Sequence, residues 1–504
     1  MLYRPYLAIL LLGSAMFFAA SCSKTEQKQS VEVVSSTEKK QAAEPESGVD
    51  YHSFANTEEY RITHVDMDLT VDFMRKVIVG TATLQIDRLD DGNNALILDT
   101  RDLTIESVRA GNNDQLQETT FSLSDSIDIR GAALAIELPA NASTVVISYQ
   151  TSPAASGVQW LEPQQTAGKR HPFMFTQAQA IHARSFVPLQ DTPGVRITYT
   201  ATVRTPIELR AVMSANNDPG AEKSGVYSFS MPQPIPSYLL ALAVGNLEFK
   251  AMGARTGVYA EAEILDAAAA EFADTEAMLE TTEEVYGPYR WDRYDLLILP
   301  PSFPFGGMEN PRLSFITPTV IAGDKSLVAL IAHELAHSWS GNLVTNSSWR
   351  DLWLNEGFTT YLTNRIMQFV YGDDRYHMEM SLGYANLQTD LNDLDDHDEL
   401  LAIDMRGRDP DDAFSSIPYQ KGSLFLYEME QSIGREAFDQ FLLDYFNEFA
   451  FQSISTEDFL AHLEQTLLKT HAEELDADRI REWIYEPGIP EGAPHPQSDA
   501  FTQL

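Results

Sequence analysis

The sequence predicts an α+β fold of several domains, in which a β domain comes before a mostly helical one. Its 504 residues are enough for about two to four domains. Hydrophobic residues make up 44% and charged residues 22%, as is ordinary for a folded chain. From about Tyr60 to Glu248 apolar and polar residues alternate as in strands, whereas from Ser326 to about Leu467 apolar residues recur with helical spacing.

The first 22 residues, MLYRPYLAILLLGSAMFFAASC, are typical of an export signal. The apolar run over residues 7–20 is shorter than the ~20 residues that a membrane-spanning helix needs. It ends in Ala-Ala-Ser-Cys, which resembles a bacterial lipoprotein processing site with Cys22 as the lipidated residue. An ordinary cleaved signal with an incidental cysteine is the alternative. The expectation is therefore a periplasmic lipoprotein of the bacterial cell envelope, held at the membrane by its lipid anchor alone. Because Ser23 rather than an aspartate follows Cys22, the resemblance to enterobacterial sorting signals favours the outer membrane.

Residues 23–50 are polar, contain no aromatic residue and are rich in Ser, Glu, Lys and Gln. Such a segment buries too little apolar surface to offset the entropy that ordering would cost. We therefore expect a disordered tether between the export signal and the folded body.

The balance of charge excludes several classes of partner. Lys and Arg number 35 and Asp and Glu 74, so the formal net charge is −39. Nucleic acids and anionic lipid headgroups attract basic surfaces and are therefore not expected as partners. With one cysteine, the sequence can form no intramolecular disulfide and no cysteine-built metal cluster, so a metal site must use histidine and carboxylate ligands.

Residues 51–250 are predicted to form one antiparallel β domain. Segments such as KVIVGTATLQID and VRITYTATVRT are rich in β-branched residues, and turn sequences such as DGNN separate them. Residues 251–490 are predicted to form the mostly helical domain, and residues 491–504 a tail. The first helix of the mostly helical domain is expected over Glu261–Tyr286 and is ended by Gly287-Pro288. A strand over Asp295–Leu299 follows.

The sequence His-Glu-Leu-Ala-His, in a run that is apolar almost all round, predicts a metal site on a buried helix. His333 and His337 lie one helical turn apart on one face, so both rings can bind one ion. Glu334 lies beside them and can act on a metal-bound water. Glu356, the nineteenth residue after His337, opens the next helix and supplies the third ligand that a catalytic zinc needs. Two satisfied core histidines are the alternative, which this second glutamate disfavours.

Three segments in a fixed order carry a resemblance to a known family. They are PFGGMENPRLSFITPTVIAGDKSLVALIAHELAHSWSGNLVTNSSWRDLWLNEGFTTYL, FTQAQAIHARSFVPLQDTPGVRITYTA and DDAFSSIPYQKGSLFLYEME. The sequence resembles the gluzincin zinc aminopeptidases, and within them the leukotriene A(4) hydrolase/aminopeptidase B-like branch, from about residue 55 to about residue 490. The resemblance implies a saddle-like N-terminal β domain followed by a thermolysin-like catalytic domain.

The resemblance also implies the catalytic residues. It implies one zinc ion per chain bound by His333, His337 and Glu356, with Glu334 as general base. Tyr419 matches the tyrosine whose hydroxyl stabilises the oxyanion. The activity implied is that of a zinc-dependent aminopeptidase, in which attack of a metal-bound water releases N-terminal residues from peptides.

The residues implied to contact the peptide are Gln179, Gly306, Gly307, Met308, Glu309 and Asp411. Glu309 matches the glutamate that binds the free α-ammonium group, and Gln179 matches a helper in the same recognition. Gly306 and Gly307 carry no side chain, so a peptide backbone can approach that edge closely. Asp411 matches an aspartate of the substrate pocket, although a solvated charge in a turn is an equally open interpretation. An acidic lining of that pocket would favour Arg or Lys as the first residue.

The sequence departs from this branch in two places. The C-terminal helical domain of the branch has no counterpart after about residue 490, and Phe414 stands where the lipid-hydrolysing members carry a tyrosine. Lipid-epoxide hydrolysis is therefore not expected, and a monomer is favoured. Two other functions stay open: a zinc endopeptidase of the same clan, and an inactive lipoprotein that binds peptides.

Overall fold

The computed structural model describes residues 48–90, 94–112 and 115–502, without the side chains of residues 501 and 502. Cys22, the predicted export signal and residues 23–47 of the predicted tether lie outside these ranges. Within them, no helix combines the length and the apolar composition that crossing a membrane requires.

Strands dominate the chain up to residue 261, as the alternating pattern predicts. In the first strand buried and exposed residues alternate, so one face of the strand packs into the core. The strands of this part are β1 (Tyr60–Asp72), β2 (Val77–Arg88), β3 (Ala95–Thr100), β4 (Thr104–Asn112), β5 (Gln115–Glu118), β6 (Phe121–Leu123), β7 (Ala132–Glu137), β8 (Thr144–Gln150), β9 (Val158–Leu161), β10 (Phe173–Thr176), β11 (Arg196–Arg204), β12 (Arg210–Met213), β13 (Val226–Pro236), β14 (Leu242–Gly245), β15 (Leu247–Ala251) and β16 (Thr256–Glu261).

The largest sheet of the described residues has the strand order β13-β11-β1-β2-β8-β4-β5. One pair departs from the predicted antiparallel pattern: β1 and β11 run parallel, with His64 opposite Thr198. Parallel neighbours need a long connection, and the strands between β1 and β11 provide it. Smaller sheets with the orders β3-β7-β6 and β12-β14-β10-β9 complete the β domain.

The second part is mostly helical, as predicted. Its helices are α1 (Ala262–Glu271), α2 (Thr275–Tyr286), α3 (Ala329–Ala336), α4 (Trp353–Tyr371), α5 (Asp373–Asp393), α6 (Gly422–Ile433), α7 (Arg435–Glu448), α8 (Thr456–Gln465), α9 (Leu467–Thr470) and α10 (Ala477–Tyr485). Its strands are β17 (Tyr294–Ile298), β18 (Gly307–Met308), β19 (Leu313–Ile316), β20 (Val344–Asn346) and β21 (Gln452–Ile454). In the described chain β18 is an edge of the sheet β15-β16-β17-β19-β18.

The prediction of one continuous helix over Glu261–Tyr286 is wrong, because α1 ends at Glu271 and α2 begins four residues later. The hydroxyl of Thr275 donates a hydrogen bond to the carbonyl of Phe272 at 2.7 Å, so the side chain occupies a backbone acceptor at the break. The predicted end of the second segment is confirmed, since Gly287 follows α2 with a φ of +90°.

Helix α4 lies at the centre of the catalytic domain, and its residues from Trp353 to Met367 are buried. It packs against α3 and against α6. At the second contact Gly357 and Gly422 face each other so closely that a Cβ atom on either would lie 2.9 Å from the other's Cα. The two glycines therefore bring the turn before α6 close to α4, and this places the site.

Candidate active site

The two histidines of the helix α3 motif meet as their spacing predicts. His333 lies in the last turn of α3 and His337 immediately follows the helix. Their Nε2 atoms lie 3.1 Å apart, and the planes of the two rings are nearly perpendicular at 89°. Both nitrogens therefore point to one spot between the rings.

Glu356 reaches that same spot from the first turn of α4. Its Oε2 atom lies 3.4 Å from Nε2 of His333 and 3.5 Å from Nε2 of His337. This oxygen is buried and has no hydrogen-bond partner within the described residues. Two nitrogens and a carboxylate oxygen, all within 4.8 Å of one another, are a donor set that zinc prefers. The residues present therefore fit a zinc ion.

The other ring nitrogens of the histidines are held from behind. Nδ1 of His337 lies 3.1 Å from the carbonyl oxygen of Ser340 and 3.1 Å from Oγ1 of Thr359. A carbonyl can only accept, so Nδ1 carries the proton and Nε2 keeps its lone pair for a metal. Burial lowers the pKa of His337 to about 4, which keeps the ring neutral at pH 7. Nδ1 of His333 lies 3.3 Å from the hydroxyl of Thr363.

Glu334 is buried beside the histidines, over the edge strand β18. A Cβ atom at Gly307 would clash with the Glu334 carboxylate, so the absence of a side chain there makes room for it. Burial and the nearby carboxylates of Glu309 and Glu356 raise the pKa of Glu334 well above its usual range. A carboxylate of raised proton affinity at this position can take up a proton at neutral pH.

Glu309 directly follows β18 and forms a second group of potential ligands with Glu334 and His337. Its side chain is 4% exposed, and a carboxylate oxygen lies within 4.8 Å of donor atoms of Glu334 and His337. Nε2 of Gln179 donates a hydrogen bond to Oε1 of Glu309 at 3.3 Å, and Nδ2 of Asn355 lies 3.5 Å away. Burial raises the pKa of Glu309. Within the described residues no Lys or Arg nitrogen comes within 4.0 Å of this carboxylate.

Tyr419 enters the site from a π-helical turn, Ile417–Lys421, which leads into α6. Its ring stacks against His333, with 6.0 Å between the ring centroids and 24° between their planes. Burial and the carboxylate of Glu356 raise the pKa of Tyr419 well above its usual range, so the phenol keeps its proton and can donate a hydrogen bond.

A cavity of about 290 Å³ opens beside this cluster, between the β domain and the catalytic domain. Gln177 and Gln179 line it from the β domain, and Phe305 and Asp411 line it from the catalytic domain. The predicted pocket residue Asp411 is thus part of a cavity wall. Gln179 also contacts Glu309, so the cavity adjoins that carboxylate.

Gly306 and Met308 are the remaining residues that were predicted to contact the peptide. A Cβ at Gly306 would lie 3.1 Å from Cδ1 of Leu330, so the space beside it is narrow. The side chain of Met308 is buried in the hydrophobic core. In β18, which pairs with β19 on one side, it is the backbone of Met308 that lies at the edge of the sheet.

The comparison with known families agrees with this geometry. Residues 270–483 match the Peptidase family M1 domain, and residues 56–239 match the Peptidase M1 N-terminal domain. The chain belongs to peptidase family M1. It is accordingly a hydrolase that acts on peptides, with a single catalytic zinc ion.

Several M1 relatives and structures are similar over most of this chain. A leukotriene A-4 hydrolase of Xenopus laevis is 44% identical over 454 residues, which cover 88% of this chain and 74% of the relative. A leucine aminopeptidase 2 of Sclerotinia sclerotiorum is 38% identical over 472 residues, 89% of this chain and 76% of the relative.

Among solved structures, yeast LTA4 hydrolase in complex with bestatin has a TM-score of 0.84 and 36% identity, covering 90% of this chain and 71% of that chain. An M1 zinc metallopeptidase of Deinococcus radiodurans has a TM-score of 0.68 at 21% identity, covering 87% of this chain and 96% of that chain. At that identity the likeness concerns the fold alone.

The predicted location in the bacterial outer membrane is wrong. The two sequence relatives described above are a leukotriene A-4 hydrolase from a frog and a leucine aminopeptidase from a fungus, and neither is named as an envelope lipoprotein. The M1 match begins at residue 56, so Cys22 has no part in it. A short apolar run ending in a cysteine is a weak signal, because only a few residues define it.

The sequence argument missed the residues that support the M1 zinc site from behind. Thr359 and Thr363 follow Glu356 by three and seven residues on α4, so all three lie on one face of that helix. That spacing could have identified both threonines once Glu356 was known to face the metal. The sequence argument also missed His182, which contacts Asp411 at the cavity. No pattern in the sequence links residues so far apart.

Proposed function

We propose that this M1 peptidase is an aminopeptidase that removes the first residue from peptides with a free N-terminus. The observation that carries the proposal is the buried carboxylate of Glu309, which has no Lys or Arg partner among the described residues. A buried carboxylate is costly unless a cation pairs with it. The α-ammonium group of a peptide would supply that cation.

The position of Glu309 selects the bond to be cleaved. One of its oxygens lies within 4.8 Å of donor atoms of Glu334 and His337. Successive residues of a peptide are about 3.8 Å apart, so an ammonium group bound at Glu309 leaves room for one residue before the histidines. The first peptide bond would then lie beside Glu334. The aminopeptidase name of one relative agrees with this proposal.

The chain's own residues can perform the hydrolysis. His333, His337 and Glu356 would hold the zinc ion, which supplies Lewis acidity that lowers the pKa of water and polarises a carbonyl. Glu334 would take a proton from the attacking water and later deliver it to the leaving amine. The protonated hydroxyl of Tyr419 would donate a hydrogen bond to the oxyanion that forms on the scissile carbonyl.

The test compares one peptide with a free and with an acetylated N-terminus, using zinc-loaded protein and detecting products by mass spectrometry. We expect loss of the first residue from the free peptide alone, because an acetylated end would leave Glu309 buried and unpaired. Equal internal cleavage of both peptides would instead identify a zinc endopeptidase. Zinc-loaded, folded protein that cleaves neither peptide but binds them would identify the inactive binding protein.

A further inference from the structure

A hydrogen-bonded chain of side chains reaches Asp411 from the β domain. Asp411 lies in a helical turn, Pro410–Ala413, of the catalytic domain. Its Oδ2 atom lies 3.2 Å from Nε2 of His182, and its Oδ1 accepts a hydrogen bond from the backbone N–H of Ala180 at 3.2 Å. Both carboxylate oxygens are therefore held by the loop that follows β10, although the side chain is 46% exposed.

Arg101 decides which nitrogen of His182 carries the proton. Nδ1 of His182 lies 3.0 Å from Nη1 of Arg101 and 2.8 Å from the hydroxyl of Ser156. A guanidinium group can only donate, so Nδ1 must accept. The proton of the ring is then on Nε2, where it is donated to Asp411. The ring is thus oriented with Nδ1 toward Arg101 and Nε2 toward Asp411.

Arg101 is itself held in place. Its Nη2 donates to the carbonyl oxygen of Ile129, and its Nη1 also lies 3.3 Å from the hydroxyl of Ser156. The guanidinium is absent from the residues that line the 290 Å³ cavity, whereas His182 and Asp411 line it. The negative charge of Asp411 is thus presented to the cavity, and the positive charge of Arg101 lies behind the imidazole.

We propose that Arg101 and His182 are positioning residues that fix the Asp411 carboxylate in the cavity wall and so set the preference for a positively charged first side chain. The proposal rests on the proposed aminopeptidase function, under which the cavity beside Glu309 receives that side chain. A carboxylate oriented in advance binds a cation more tightly than one that must be ordered on binding. Arg101 acts through His182 and touches no substrate.

The test uses two peptides that differ only in their first residue, Arg or Leu, and measures kcat and KM for each. For His182→Phe we expect the ratio of the two kcat/KM values, Arg over Leu, to fall about tenfold, because the charge-assisted hydrogen bond to Asp411 is lost. The change should appear in KM for the Arg peptide, with the Leu peptide almost unaffected. For His182→Gln, whose amide N–H can reach the carboxylate, the ratio should largely recover.

Arg101→Met should lower the same ratio, because the imidazole then loses the donor that fixes its proton on Nε2. Arg109→Met is the matched control, since Arg109 is an exposed arginine of β4 in the same domain. Asp411→Asn should lower the ratio at least as far as His182→Phe. In the double variant that combines His182→Phe with Asp411→Asn, the ratio should then be no lower than in Asp411→Asn alone, because both substitutions remove the same charge-assisted contact.

Three kinds of result would overturn the proposal. An unchanged ratio in folded His182→Phe and in Arg101→Met would show that Asp411 needs no support. Equal losses for both peptides, or no recovery in His182→Gln, would show that His182 is merely structural. If the losses in the ratio caused by His182→Phe and Asp411→Asn multiplied in the double variant, His182 and Asp411 would act separately. If the unaltered enzyme released the first residue from neither peptide, the proposed function itself would fall, and this result is distinct from the other three.

Discussion

The proposed zinc site and the cavity beside it are assembled in opposite ways. His333, His337 and Glu356 come from 24 consecutive residues of the chain, on two helices that pack directly together. The cavity wall takes Gln179 from the β domain and Asp411 from a turn more than 200 residues later. The difference shows that local spacing brings the reactive groups together here, whereas the proposed recognition of the first residue would depend on how the two domains meet.

The largest loss of activity should come from a substitution beside the proposed zinc site. Glu334→Gln removes the proposed general base but none of the three atoms that meet at the proposed zinc site, so we expect kcat to fall about 10³-fold with the zinc content unchanged. Steady-state kinetics and metal analysis of the same preparation measure both. If activity stayed within tenfold of that of the unaltered enzyme, Glu334 would not be the base. The claim that local spacing brings the reactive groups together would then fail.

The turn Ile417–Lys421, which carries Tyr419, is held by contacts with distant parts of the chain. Nζ of the buried Lys421 donates hydrogen bonds at 2.8 Å to the carbonyl oxygens of Glu399 and Glu486, and burial lowers its pKa from 10.5 to about 8. Between these pH values the unfolded chain holds a proton that the folded chain has released, so stability rises with pH.

Relative to Lys421→Met, the free energy of unfolding of the unaltered protein should therefore rise by about 3 kcal/mol from pH 8 to pH 10.5. Urea denaturation over this pH range measures the difference. Lys469→Met, which alters an exposed lysine of α9, is the control and should show a constant difference. A constant difference for Lys421→Met as well would mean that this amine is not held in a desolvated site.

Glu309 lies at the junction of the two regions, so its replacement should affect recognition more than chemistry. For Glu309→Gln we expect kcat/KM on a peptide with a free N-terminus to fall about 10²-fold, because the ammonium group loses its counter-charge. The preference for free over acetylated peptides should shrink by the same factor. Asp412→Asn changes an exposed acid of the turn Pro410–Ala413 and is the control. A preserved preference in Glu309→Gln would remove Glu309 from N-terminal recognition.

The smallest effect concerns the residues that support the proposed zinc ligands. Thr359→Val removes a hydroxyl that contacts Nδ1 of His337, and we expect zinc affinity to fall about tenfold. Competition with a chelator measures the affinity. Thr360→Val is matched in chemistry and position, and the hydroxyl of Thr360 has no hydrogen-bond partner within the described residues. Equal losses in the two variants would mean that the effect is not transmitted through His337.

Some features of the fold and the site could be predicted because they depend on neighbours in the chain. Alternating polarity predicted β1, and the four-residue spacing of His333 and His337 predicted their meeting. The break between α1 and α2 could not be predicted in this way, because helical periodicity continues across it while the hydroxyl of Thr275 engages a backbone carbonyl. The parallel pairing of β1 with β11 depends on the whole intervening chain.

What the sequence by itself determined is the reactive centre, because helical geometry fixes the relation of residues three to four apart whatever surrounds them. Only the tertiary structure decided that Glu334 lies over Gly307, and that His182 joins Arg101 to Asp411. Each of these contacts joins residues distant in sequence. Their closeness in space follows from the packing of sheets and helices rather than from local propensity. The physical reason is that burial and hydrogen bonding between such residues exist only in the folded chain and, for His182 and Asp411, only where the two domains meet at the cavity.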